Sequence, residues 1–285
     1  MHPTAKPATP AATRISRRFA ELREQGRMGL VAFITAGDPS LAATESLVLA
    51  LAEAGADVVE LGVPFSDPLA DGPAIQRSSE RALRAGTTLA GVLDLVAAIR
   101  RKSDVALVLF SYYNPVLQMG LEQFAGRAAA AGADGVLITD LTPEEAGDYR
   151  RIVAARGLDT IFLAAPTSTD ERLAKIAACT SGFLYVISRT GVTGATDTLP
   201  EDLPALVRRV RRVTALPIAV GFGISLPGQV SVLGGLADAA VVGSALVEEI
   251  ERAPTVEAAQ SAVADRVRTL KQAGLRGMSR REPGR

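Results

Sequence analysis

Two kinds of segment alternate along the chain from residue 14 to about residue 270. The first kind is short, apolar and rich in β-branched residues: 30–35, 58–61, 105–110, 135–139, 160–163, 182–187, 218–220 and 239–242. Both faces of these runs are apolar, which predicts buried parallel strands. The second kind is longer and carries Ala, Leu, Glu and Arg at helical spacing, as in 41–54, 89–101, 121–131, 143–156 and 204–213. A small repeat marks the joints. Ala54-Gly55-Ala56-Asp57, Ala131-Gly132-Ala133-Asp134 and Leu236-Ala237-Asp238 each stand just before a strand. In the first two the Gly closes a helix in the left-handed conformation, and in all three the Asp turns the chain into the strand.

Eight such units without a Pro/Gly-rich linker predict a single α/β domain, a closed (β/α)8 (TIM) barrel. The alternative, an open doubly wound sheet, wants a glycine-rich dinucleotide turn after its first strand. Here that turn reads Thr35-Ala36-Gly37-Asp38-Pro39. Residues 14–27 predict an extra N-terminal helix plugging the barrel bottom, and the barrel is expected to span 14–272. Residues 1–13 and the basic stretch 273–285 read as disordered tails.

Composition narrows the chemistry. The chain has 285 residues, 48% of them hydrophobic and 22% charged, enough for a large core. Lys and Arg total 31 and so do Asp and Glu, so zero net charge gives no drive toward nucleic acid or an anionic membrane. The sole histidine, His2, lies in the tail, and the sole cysteine is Cys179. That leaves no histidine catalyst, no disulfide and no zinc site of the usual N/S kind. Cys179 reads either as a nucleophile or as a small buried residue at a helix end. Residues 1–13 lack the apolar stretch of a secretory signal, and a cytoplasmic location is expected.

A barrel of this kind works at the C-terminal ends of its strands. Glu60 interrupts an otherwise apolar second strand, and burial there raises a carboxyl pKa into the range of a general acid. Its other reading is a structural ion pair, but no strand carries an inward basic residue to make one. Asp71 ends a long, proline-stiffened loop, and that loop is long enough to fold back over the barrel mouth beside Glu60. Asp71 reads equally well as a helix N-cap or turn residue, because Asp-Gly-Pro is turn chemistry. Three glycine-rich exits, 188–194, 221–225 and 242–245, suit backbone N–H groups approaching a phosphate, or simply tight turns. The stretch 188–200 has the Gly and Thr content of a lid. Phe33, Tyr185 and Phe222 at strand ends read as a flat aromatic site or as plain core.

These residues resemble a known family. The stretch Glu60-Leu61-Gly62-Val63-Pro64-Phe65-Ser66-Asp67-Pro68-Leu69-Ala70-Asp71-Gly72-Pro73 is similar to the signature of tryptophan synthase alpha chains. Phe33–Pro39, Tyr112-Tyr113-Asn114-Pro115, Ser188–Gly194 and Gly221–Ser225 extend the likeness in order and spacing. The resemblance implies a lyase of tryptophan biosynthesis that cleaves indole-3-glycerol phosphate to indole and glyceraldehyde 3-phosphate without a cofactor or metal. It implies Glu60 as general acid–base and Asp71 as the carboxylate on the indole N–H. It further implies Gly194, Gly223, Gly243 and Ser244 as the phosphate cradle, and Phe33, Leu137, Tyr185 and Phe222 as the indole pocket. Thr193 would be the lid residue over Asp71. The implied partner is a pyridoxal-phosphate beta chain in an alpha2-beta2 heterotetramer, facing Asp67, Pro68 and residues 140–145. Thr142 departs from the proline common there, which touches the partner surface and not the chemistry. The alternatives are another phosphate-binding barrel enzyme, which would want a Lys or Cys at a strand exit, and a non-catalytic, ligand-binding regulator of a beta partner.

Overall fold

The computed structural model describes residues 12–188, 198–221 and 223–278. Nine strands and twelve helices alternate through them. The strands are β1 (Gly29–Thr35), β2 (Val58–Gly62), β3 (Ala106–Ser111), β4 (Gly135–Ile138), β5 (Asp159–Ile161), β6 (Leu163–Ala164), β7 (Leu184–Ile187), β8 (Ile218–Gly221) and β9 (Ala239–Val242). The helices are α1 (Arg14–Glu24), α2 (Leu41–Glu53), α3 (Pro73–Arg84), α4 (Leu89–Arg100), α5 (Tyr113–Met119), α6 (Leu121–Ala131), α7 (Gly147–Ala155), α8 (Asp170–Cys179), α9 (Leu203–Val213), α10 (Pro227–Leu233), α11 (Ser244–Arg252) and α12 (Val256–Met278).

All strand pairings are parallel, in the order β5-β4-β3-β2-β1-β9-β8-β7-β6. The break between β5 and β6 is one residue, Phe162. β5 pairs with β4 and β6 with β7, so the two pieces are one interrupted strand that closes an eight-stranded barrel. The expected single strand over 160–163 is thus split in two.

Alternation along each strand sorts side chains into two cores. Val31, Phe33, Val58, Val108, Phe110, Leu137, Ile161, Tyr185 and Val241 point into the barrel, where Ile15, Phe19 and Leu22 of α1 close its bottom. Phe19 meets Phe183 with ring centroids 5.7 Å apart. The opposite strand faces pack on the helices in the larger, outer core. Helix starts follow the capping rules: Thr13, Ser40, Thr88 and Thr169 each accept a backbone N–H from the first turn of α1, α2, α4 and α8.

The repeated Asp does more than turn the chain. Asp57 accepts the N–H of Leu30 (2.6 Å), Asp134 that of Leu107 (2.9 Å) and Asp238 that of Ile218 (2.8 Å). Each carboxylate therefore caps a neighbouring strand at the barrel bottom, and each pairs with arginine or lysine: Asp57 with Arg18 and Lys271, Asp134 with Arg14 and Arg100, Asp238 with Arg211. α12 runs on to Met278, past residue 272 at which the sequence reading ends the barrel, and residues 1–11 and 279–285 of the expected tails lie outside the described residues. No single helix among the described residues is long and apolar enough to cross a membrane.

Candidate active site

Glu60 shares the inward parity of Val58, in register with Phe33 on β1 and Val108 on β3. It is fully buried, and neither carboxylate oxygen has a hydrogen-bond partner among the described residues. An unpaired buried carboxylate is costly to ionise, and desolvation pushes the Glu60 carboxyl up to about 8. The ion-pair reading of Glu60 has no partner to support it among the described residues.

The loop from β2 to α3 folds back as expected. Two turns, from Leu69 N–H to Asp67 C=O and from Asp71 N–H to Pro68 C=O, bring its far end over the barrel mouth. Asp71 is buried at 6% exposure and lines the same cavity as Glu60. The N-cap of α3 is Gly72, with Pro73 behind it at the first helical position, so Asp71 is not the cap. Burial raises the Asp71 carboxyl to about 6, and a hydrogen bond from Tyr112 opposes the rise. The Tyr112 hydroxyl donates to Asp71 Oδ2 (3.2 Å) and accepts the Ala70 N–H (2.9 Å). The Tyr112 ring packs on Phe65, at the start of the same loop, with centroids 5.1 Å apart. One buried tyrosine thus grips both ends of the loop that carries Asp71.

The two carboxylates open on a cavity of about 390 Å³. Its apolar wall is Phe33, Phe110, Tyr185 and Val241, with Phe33 and Phe110 edge to face at 5.1 Å. Glycines make room for the rings: a Cβ on Gly62 would stand 2.5 Å from the Phe33 ring, and one on Gly221 would stand 2.2 Å from the Tyr185 hydroxyl. The other end of the cavity is Gly223, Ile224 and Ser225 after β8, and Gly243, Ser244 and Ala245 after β9. Ser244 is the first residue of α11, whose orphan N–H groups and dipole favour an anion there. Gly223 sits at φ +84°, a conformation glycine adopts freely.

Eight of the residues singled out by sequence therefore have a described place at or near this cavity. Glu60, Asp71, Phe33, Tyr185, Gly223, Gly243 and Ser244 line it. Leu137 lies on β4, fully buried in the same inner core but not on the cavity surface. Thr193, Gly194 and Phe222 lie outside the described residues. Asp67 is exposed and Pro68 half-buried on the outer side of the loop, next to Leu69, which is 88% exposed. Cys179 is buried at the end of α8, away from the cavity. Sequence reasoning missed Phe110, and it marked Tyr112 and Ser225 only as parts of longer motifs, without a role of their own. Phe110 had a signal: it is an aromatic residue at a strand exit, as Phe33 and Tyr185 are.

A large apolar pocket with a neutral acid, an ionised carboxylate and an anion-binding end suits proton transfer on a phosphorylated aromatic compound. Comparison with known proteins agrees. The family model for the tryptophan synthase alpha chain matches residues 19–275. The tryptophan synthase alpha chain of Geobacter sulfurreducens is 52% identical over 261 residues, covering 92% of this chain and 98% of its own. That of Solibacter usitatus is 53% identical over 240 residues, covering 84% and 90%. Among solved structures, tryptophan synthase subunit alpha from Legionella pneumophila superposes with a TM-score of 0.85 at 37% identity, covering 92% of this chain and 98% of that one. Fold, cavity and sequence agree that this chain belongs to the tryptophan synthase alpha chain family.

Proposed function

We propose that Glu60 and Asp71 are the acid–base pair with which this lyase carries out the alpha reaction of tryptophan synthase, the cleavage of indole-3-glycerol phosphate. The observation that carries the reading is the pairing of an orphaned, fully buried Glu60 with a tyrosine-held Asp71 in one cavity. At neutral pH Glu60 holds its proton and Asp71 has lost its own. Glu60 protonates indole C3, and the positive charge that develops on the ring spreads to the ring nitrogen. Asp71 accepts the hydrogen bond of that N–H and stabilises the cation. The bond from C3 to the glycerol carbon then breaks, and its electron pair returns to the ring. The Glu60 carboxylate takes the proton of the glycerol hydroxyl, which becomes the aldehyde. Glu60 ends protonated, as it began.

Phe33, Phe110 and Tyr185 hold the indole plane, with Leu137 in the same inner core; the family resemblance adds Phe222, outside the described residues, to the indole pocket. Gly223, Gly243 and Ser244 cradle the phosphate; the family resemblance assigns Gly194 to the same cradle and Thr193 to the lid over Asp71, both outside the described residues. A beta chain is the partner that family membership implies. Its docking site is the exposed loop tip at Asp67, Pro68 and Leu69, together with residues 140–145, in an alpha2-beta2 assembly in the cytoplasm. No cofactor takes part. The test is to mix the purified chain with indole-3-glycerol phosphate, with and without a beta chain, and to measure indole. Release that is slow alone and faster with the partner supports both readings. Binding without release in either case points to a regulatory subunit.

A further inference from the structure

We propose that Gln229 is a positioning residue that sets the shape of the phosphate cradle, an inference that rests on reading Gly223 as part of that cradle. Gln229 stands in the first turn of α10 and is 3% exposed. Its Oε1 accepts the N–H groups of Ser225 (2.8 Å) and Leu226 (2.9 Å), and its Nε2 donates to the Gly223 carbonyl (3.1 Å). A Gln at the third helical position reaching back to the cap residue is ordinary helix capping, and that accounts for the bond to Leu226 alone. The bonds to Ser225 and Gly223 fix the segment that lines the cavity.

Two consequences follow for an anion. The Gly223 carbonyl points at Gln229, which does not line the cavity, so its negative end is turned away from an incoming phosphate. The same bonds hold Gly223 at φ +84° from within the chain, so the loop needs little rearrangement on binding. Without the amide, the Gly223 carbonyl loses the donor that holds it, and a carbonyl turned into the cavity would repel the phosphate. Gln229 is neutral, so this device works equally at every pH at which the carboxylates work.

The test compares wild type with Gln229→Ala and with Gln229→Met, which keeps the volume but not the hydrogen bonds. Each is assayed on indole-3-glycerol phosphate and on the same compound without its phosphate. In both variants KM for the phosphorylated substrate should rise about tenfold or more. The value of kcat should change little. Cleavage of the phosphate-free compound, and the pH profile, should stay as in wild type. An unchanged KM, an equal loss on both substrates, or failure of both variants to fold would overturn the proposal, because each assigns Gln229 to the fold or to nothing. The cradle reading fails separately, in wild type alone, if the two substrates are cleaved with the same kcat/KM.

Discussion

Glu60 and Asp71 are both carboxylates in one cavity, yet their surroundings set them apart. Glu60 has only apolar neighbours on its own strand and no donor among the described residues, whereas Asp71 has the Tyr112 hydroxyl. The pH profile of kcat/KM should therefore be bell-shaped. It should rise as Asp71 ionises near 6 and fall as Glu60 ionises near 8. Tyr112→Phe removes the donor to ionised Asp71. The acid limb should then move to higher pH while the alkaline limb stays, as rates measured across that range will show. A profile that only falls in height would make Tyr112 a packing residue. Of this scale, the sequence disclosed Glu60 through its isolation in an apolar strand, but left Asp71 balanced between catalysis and a helix-cap or turn role. The loop path removes the capping reading, because Gly72 takes the cap, while the Asp71 N–H does close a turn on the Pro68 carbonyl. Tyr112 was out of reach, since its partner is 41 residues away in sequence and only the fold joins them.

Strands and helices repeat a simple unit, and most of it can be read from periodicity. Seven of the eight predicted strands appear within a residue or two, and the fifth breaks at Phe162. No periodicity marks a one-residue break. Shorter helices such as α5 and α10 carry too few turns to show an apolar stripe. The AGAD repeat was visible, but its use was not, because a carboxylate that caps another strand is a non-local contact. Asp57 illustrates what it contributes: Arg18 at 2.8 Å, Lys271 at 2.5 Å and the Leu30 N–H meet on one carboxylate. These contacts tie α1, β1 and α12 together. Asp57→Ala would leave Lys271, which is mostly buried, without its partner, and should destabilise the fold by about 2–4 kcal/mol. Denaturant unfolding measures this, and kcat of the folded variant should stay close to wild type, since Asp57 is at the opposite end of the barrel from the cavity.

Over the whole molecule, the burial of Glu60 in the cavity is held at the expense of stability. Glu60 has its carboxyl raised from 4.5 to about 8 in the folded chain. Between those values the folded state binds a proton that the unfolded state has released. Stability from this group is therefore complete below about 4.5 and is lost as pH rises through 8. Each pKa unit corresponds to about 1.4 kcal/mol, so the loss amounts to a few kcal/mol. Glu60→Gln should remove that dependence, and thermal melts at pH 5 and pH 9 should show the variant more stable than wild type only at the higher pH. The same substitution tests the chemistry. Indole release from indole-3-glycerol phosphate should be compared at neutral pH between wild type and Glu60→Gln, with substrate binding measured in parallel. We expect the variant to hold the substrate in the same cavity with kcat lowered by about 100-fold or more. Near-normal indole release from Glu60→Gln would contradict the assignment of Glu60 as the acid–base on which the account rests.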